Sequence, residues 1–161
     1  MSEKAQREID DLARLLLRWR NDPDAISNAE PVLESIGRLD IESLPEDVLL
    51  DAIEFVWFRH TDISSRDFLK NVLEKAKEYP SPFVQGRARG YLLRDFGDAS
   101  QLEPLADIIL KHPSSAVEAV ASLKMAVRQN IPGAASTVTR LLASPSLDYK
   151  DTLLEALQNP G

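Results

Sequence analysis

Three carboxylates, Asp47, Asp51 and Glu54, stand at i, i+4 and i+7, with Glu46 beside them. On a helix this spacing puts all three on one side. Like charges held together repel, so the stripe is either a solvated face or a surface that a cationic partner neutralises. Phe58 continues the same side and Trp57 lies next to it, in Phe55-Val56-Trp57-Phe58, the most apolar segment of the chain. Three aromatics in four consecutive helical positions point almost all the way round, so they cannot all enter one core. Either this helix is buried on two sides, or Trp57 or Phe58 stays at the surface beside the acids. The second arrangement, an aromatic anchor with a charged rim, is that of an interface hot spot.

Residues for catalysis are harder to find. The two histidines, His60 and His112, lie 52 positions apart, and neither has a second histidine or a carboxylate at metal-ligand spacing. His112 precedes a proline at a helix end. The chain has no cysteine, which removes thiolate nucleophiles, disulfides and cysteine-based zinc sites. There is no P-loop, no Gly-x-Gly-x-x-Gly and no Gly-x-Ser-x-Gly, and Gly86-Arg87-Ala88-Arg89-Gly90 falls inside a helix, where it cradles no phosphate. Arg87 and Arg94, seven apart with Arg89 near, either pair with acids of the preceding repeat unit or form an anion or carboxylate site. No catalytic residue, metal ligand or cofactor is expected.

Charge sharpens the choice of partner. Residues 1–79 carry 11 Lys/Arg against 18 Asp/Glu and hold the whole net charge of −7, while residues 80–161 carry 8 against 8. Phosphate-backbone binding needs clustered cations, so nucleic acid is not expected as the partner. A basic protein surface is. No run approaches the roughly 18 apolar residues of a membrane span, and the N-terminus lacks a signal-peptide core, so no membrane association and a cytoplasmic location are expected. At 161 residues the chain suits one domain or one short solenoid.

The elements that must position these residues are helices throughout. Ile9, Leu12, Ala13, Leu16, Leu17 and Arg20 trace the stripe of a first helix over 2–20, stopped by Asn21-Asp22-Pro23. A second, over 28–39, has Pro31 in its first turn. Ser43-Leu44-Pro45-Glu46 has capping-box spacing and predicts a third over 45–60. A fourth starts near Ser64-Ser65, and a fifth runs over 82–96 to Gly97, a left-handed C-terminal cap. The sixth (100–111) and seventh (115–129) carry further capping patterns, Ser100/Glu103 and Ser115/Glu118. The eighth spans 132–143 and the ninth 147–158.

Between Ser81 and Leu142 the chain reads as one unit written twice. Val84, Ala88, Leu92, Leu105, Ile108 and Ile109 fall, 33 positions on, upon Val117, Ala121, Met125, Val138, Leu141 and Leu142, all apolar. With a step of 36 the pattern extends back to Leu12, Leu16, Leu33 and Ile36, and forwards by about 32 it reaches Tyr149, Leu153 and Leu157. A period of this size is the signature of a solenoid whose units bury their apolar faces only against neighbours. The units fall at about 2–40, 43–78, 82–111 and 115–143, with a terminal helix at 147–158.

The Val-x-x-x-Ala-x-x-x-Leu core of one helix, the Gly97-Asp98 turn and the Leu-x-x-Ile/Leu-Leu core of the next resemble HEAT repeats of the short bacterial kind. The two units within Ser81 to Leu142 carry the resemblance best; the first two share only the apolar pattern. It implies an all-α, right-handed α-solenoid of antiparallel helix pairs, about nine helices in a single domain. It also implies a non-enzymatic protein-binding module, since small acidic proteins of this type are similar to bacterial immunity proteins that neutralise a cognate toxin. The expected contact residues are Asp47, Asp51, Glu54, Trp57 and Phe58. Two enzymatic branches of HEAT-like proteins are the alternatives: phycobilin lyases or related ligand carriers, for which no chromophore site is marked, and DNA glycosylases, whose basic track the acidic half lacks. Partner identity, binding face and oligomeric state stay open at this level.

Overall fold

The computed structural model describes residues 2–59, 66–145 and 147–158. These form nine α-helices and no strand: α1 (Glu3–Asn21), α2 (Glu30–Arg38), α3 (Glu46–Arg59), α4 (Arg66–Ala76), α5 (Pro82–Phe96), α6 (Leu102–Lys111), α7 (Val117–Arg128), α8 (Ala134–Leu142) and α9 (Lys150–Gln158). The chain is all-α, as its periodicity predicts. Among the described residues no helix is long and apolar enough to cross a membrane. Contacts between Cα atoms divide the chain into two compact units, Met1–Tyr79 and Pro80–Gly161.

In the first unit α1 packs against α2 and α3, and α3 against α4. The hydroxyl of Ser2 accepts the amide N–H of Ala5 (3.1 Å) and so satisfies one of the open donors at the start of α1. α1 buries Ile9, Leu12 and Leu16. Leu17, expected in the same stripe, is 46% exposed, because the 100° between consecutive residues carries it off the contact line. Ser43 does not open α3 as a capping residue; it closes a 3-10 turn (Ile41–Ser43), and its hydroxyl donates to the carbonyl of Asp40 at 2.7 Å. The predicted start of α4 at Ser64-Ser65 lies outside the described residues.

In the second unit α7 lies between α5 and α9, while α6 packs against α8 and bridges to α5 and α7. α5 begins with Ser81, whose hydroxyl accepts the Val84 N–H, and with Pro82 in its first turn. It ends at Gly97 in the left-handed region (φ 63°, ψ 27°), as predicted. A side chain there would cost about 1–2 kcal/mol. The capping patterns at Ser100 and Ser115 do not form. Both serines are taken into 3-10 turns (Ala99–Gln101 and Pro113–Ser115), and neither Gln101 nor Ala116, the residues at the true helix starts, makes a side-chain cap. Asp98 holds the first of these turns, accepting from the Ser100 N–H (3.1 Å) and from the Gln101 amide (2.9 Å).

The repeat holds on the second helices and on α1, α3 and α5, whose mapped positions Leu12, Leu16, Val48, Ala52, Val84 and Ala88 are all buried, and slips on α7. Val138 and Leu141 are buried like Leu105 and Ile108. Val117 and Met125, expected to match Val84 and Leu92 in the core, are 67% and 38% exposed, and Ala121 is exposed as well. The row α7 turns inward is Ala119, Leu123 and Val127, two positions further along. α7 carries apolar residues on both sides, so a step of 33 lands on an apolar row in either case. Packing against α5 chooses between them. Gly86 and Gly90 let α7 approach closely: a Cβ on Gly90 would stand 2.2 Å from Ser122 Oγ.

Candidate partner-binding site

The site is built by the last two turns of α1 and most of α3. The structure separates the three aromatics of α3 into an inner, a lateral and an outer ring. Phe55 is fully buried, Trp57 is half-buried, and Phe58 is 58% exposed. Trp19 of α1 fixes the group from outside the segment: its ring meets Phe55 edge-on at 5.3 Å between centroids and Phe58 at 5.9 Å. Trp57 meets Phe58 edge-on at 4.8 Å. Such edge-to-face pairs contribute about 0.5–1.5 kcal/mol each beyond their buried area. Phe58 is therefore an exposed ring held in place by two tryptophans.

The C-terminal end of α3 is tied down by Arg59, whose guanidinium donates to the carbonyls of Ile26 (3.0 Å) and Ser27 (3.4 Å) and lies 5.9 Å from the Phe55 ring centroid. Trp19 and Arg59 are the contributors that spacing along α3 could not reveal. The signal available in the sequence was Trp19 standing one turn past the buried Leu16.

The acidic stripe is divided in the same way. Asp47 is exposed and accepts the N–H of Val48 (2.9 Å), in the first turn of α3 where a negative charge meets the positive end of the helix dipole. Asp51 has only 18% of its side chain exposed and is bound by Arg20 of α1, with Nη1 at 3.3 Å from Oδ2. Glu54 is partly exposed, one turn before Phe58. On the same helix start, Tyr79 donates its hydroxyl to the carbonyl of Leu44 (2.8 Å). Its phenol is raised above the usual range by burial and then by the neighbouring carboxylates of Glu46 and Asp47.

The arginines of α5 are engaged within their own unit: Arg87 with Glu118 of α7 (3.0 Å), Arg89 with Gln101 (2.7 Å), and Arg94 with the carbonyl of Gly90 and the ring of Tyr91. His112 is exposed at the end of α6, and His60 lies outside the described residues. Among the described residues no group of three or more His, Cys, Asp or Glu side chains could hold a metal ion. Comparison of the chain with family models, with curated proteins and with solved structures returns no match.

Proposed function

We propose that the chain is a non-enzymatic protein-binding module that covers a basic site on another protein, in the manner of an immunity or inhibitor protein occluding a toxin. The observation that carries this reading is Phe58, an exposed ring pinned between Trp19 and Trp57, with Glu54 one turn away and Asp47 on the same helix. A rigid aromatic loses little conformational freedom on binding, and aromatic anchors dominate the energy of interfaces. The unit that presents it carries the net charge of −7, which steers cationic partners and speeds their association. The alternation of α5, α7 and α9 with α6 and α8, and the Gly97-Asp98 turn, support a HEAT-like right-handed solenoid, with first helices on its convex side and second helices on its concave side. A cytoplasmic location belongs to the same reading.

The test is capture of partners from the host by the tagged chain, at low and at high salt, with identification by mass spectrometry. One stoichiometric basic protein, released as salt rises, is the expected result. A purified chain that carries a pigment or another small molecule and retains no protein would put a ligand carrier in its place.

A further inference from the structure

The acids and rings of α3 come in pairs four residues apart: Asp51 with Phe55, and Glu54 with Phe58. At this spacing two side chains lie one above the other on a helix, their Cβ atoms about 5–6 Å apart. The chain fills the first pair with its own arginines. Arg20 holds Asp51 (Nη1 to Oδ2, 3.3 Å), and the guanidinium of Arg59 stands over the Phe55 ring, 5.9 Å from its centroid. The second pair is the same arrangement moved three residues along α3 and brought to the surface: Phe55 is fully buried, whereas Phe58 is 58% exposed.

We propose that Phe58 and Glu54 receive an arginine side chain of the basic partner, its guanidinium flat against the Phe58 ring and an edge N–H turned to the Glu54 carboxylate. The inference rests on the reading of this site as a protein-binding surface and specifies what enters it. The ring geometry is the first support. Trp57 and Trp19 meet Phe58 at 85° and 61°, so neither indole stacks flat on it. A ring more than half in solvent and uncovered by stacking takes a cation within about 6 Å of its centroid. The two tryptophans hold it still, so little freedom is lost when the cation arrives.

Charge is the second support. Residues 1–79 hold the whole net charge of −7, which favours a cation over an anion on this unit. The two guanidiniums nearest the site are held elsewhere, Arg20 on Asp51 and Arg59 on the carbonyls of Ile26 and Ser27. Glu54 makes a contact within the chain as well. A carboxylate has about four acceptor positions, so that contact leaves it able to accept from a partner. Arginine fits better than lysine because its guanidinium is planar, sheds water more readily than an ammonium, and carries its donors in the plane. It can therefore lie on the ring and reach the acid one turn away at the same time.

Trp19 and Trp57 are the two tryptophans of the chain, and both rings meet Phe58. In the isotopically labelled full chain their indole N–H signals, followed by NMR, report on that ring. The probe is N-acetyl-arginine amide added at constant ionic strength, with the lysine and citrulline analogues run beside it; citrulline keeps the shape and lacks the charge. Arginine should shift both indole signals saturably, citrulline should not, and lysine should bind at least about twofold more weakly. Phe58→Leu, which keeps the apolar bulk, and Glu54→Gln should each weaken the arginine response about two- to fivefold. No saturable response to arginine overturns the proposal. So does an equal response to citrulline or lysine, or a Phe58→Leu chain that responds like the wild type. A basic protein captured by the wild type and lost on Phe58→Ala would still uphold the protein-binding reading in that case, so the two failures are distinct.

Discussion

Arg20 and Asp51, 31 residues apart in sequence, join α1 to α3 through a 3.3 Å ion pair in which the carboxylate is the more buried partner. The middle acid of the stripe is thus a strut, and the acids flanking it are not equivalent to it. Asp51→Asn should lower stability by at most about 1 kcal/mol, because the arginine is half-exposed and the pair is screened. Asp47→Asn should change it by less than about 0.5 kcal/mol. Urea unfolding followed by circular dichroism measures both.

Phe55 and Phe58 share a helix and a tryptophan neighbour but should differ sharply on truncation. Phe55→Ala removes a fully buried ring and should cost about 3–5 kcal/mol. Phe58→Ala removes a ring already 58% in solvent and should cost about 1–3 kcal/mol, chiefly the two edge-to-face contacts. Thermal melts of the two variants separate a core residue from a surface anchor.

Gly90 and Ser122 mark the closest approach of α5 and α7. Gly90→Ala places a methyl 2.2 Å from Ser122 Oγ and should destabilise by about 1–3 kcal/mol through overpacking. Ser122 Oγ is buried without a hydrogen-bond partner, so Ser122→Ala should be neutral or stabilise by up to about 1 kcal/mol. In the double variant the alanine at 90 should cost less than it does alone, a coupling that a double-mutant cycle reads directly.

Tyr79 binds its proton more tightly in the folded chain than in the unfolded one, where its ordinary value is 10.0. Its contribution is fully present below that value and is lost as pH rises through the folded value, since the unfolded chain releases the proton first. Stability of the wild type should fall above about pH 10, and Tyr79→Phe should fall less steeply over the same range. At neutral pH that variant should be less stable by about 1 kcal/mol, from the lost bond to the Leu44 carbonyl.

The helices were legible because three-four spacing and proline or glycine punctuation agree along the chain; Pro82 to Gly97 is the clearest case. What spacing could not decide is which side of an apolar helix faces inward. In α7 the rows beginning at Val117 and Ala119 are both apolar, and the inward one is chosen by the close approach of Gly86 and Gly90, a contact between residues more than 30 positions apart. Capping patterns misled at Ser43, Ser100 and Ser115 because 3-10 turns took up those serines. On α3 the spacing identified the residues of the site, but the inner or outer place of each ring depends on Trp19, and the pairing of Asp51 depends on Arg20.

The central claim is that Phe58 and the acids beside it contact a basic protein, and a side-by-side capture tests it most directly. Wild-type chain, Phe58→Ala chain and a chain carrying Asp47→Lys with Glu54→Lys are exposed to the same host extract, after circular dichroism has shown that all three are folded. The account predicts one basic protein retained by the wild type and lost, or reduced at least about tenfold, by both variants. Equal retention of that protein by all three chains would contradict it.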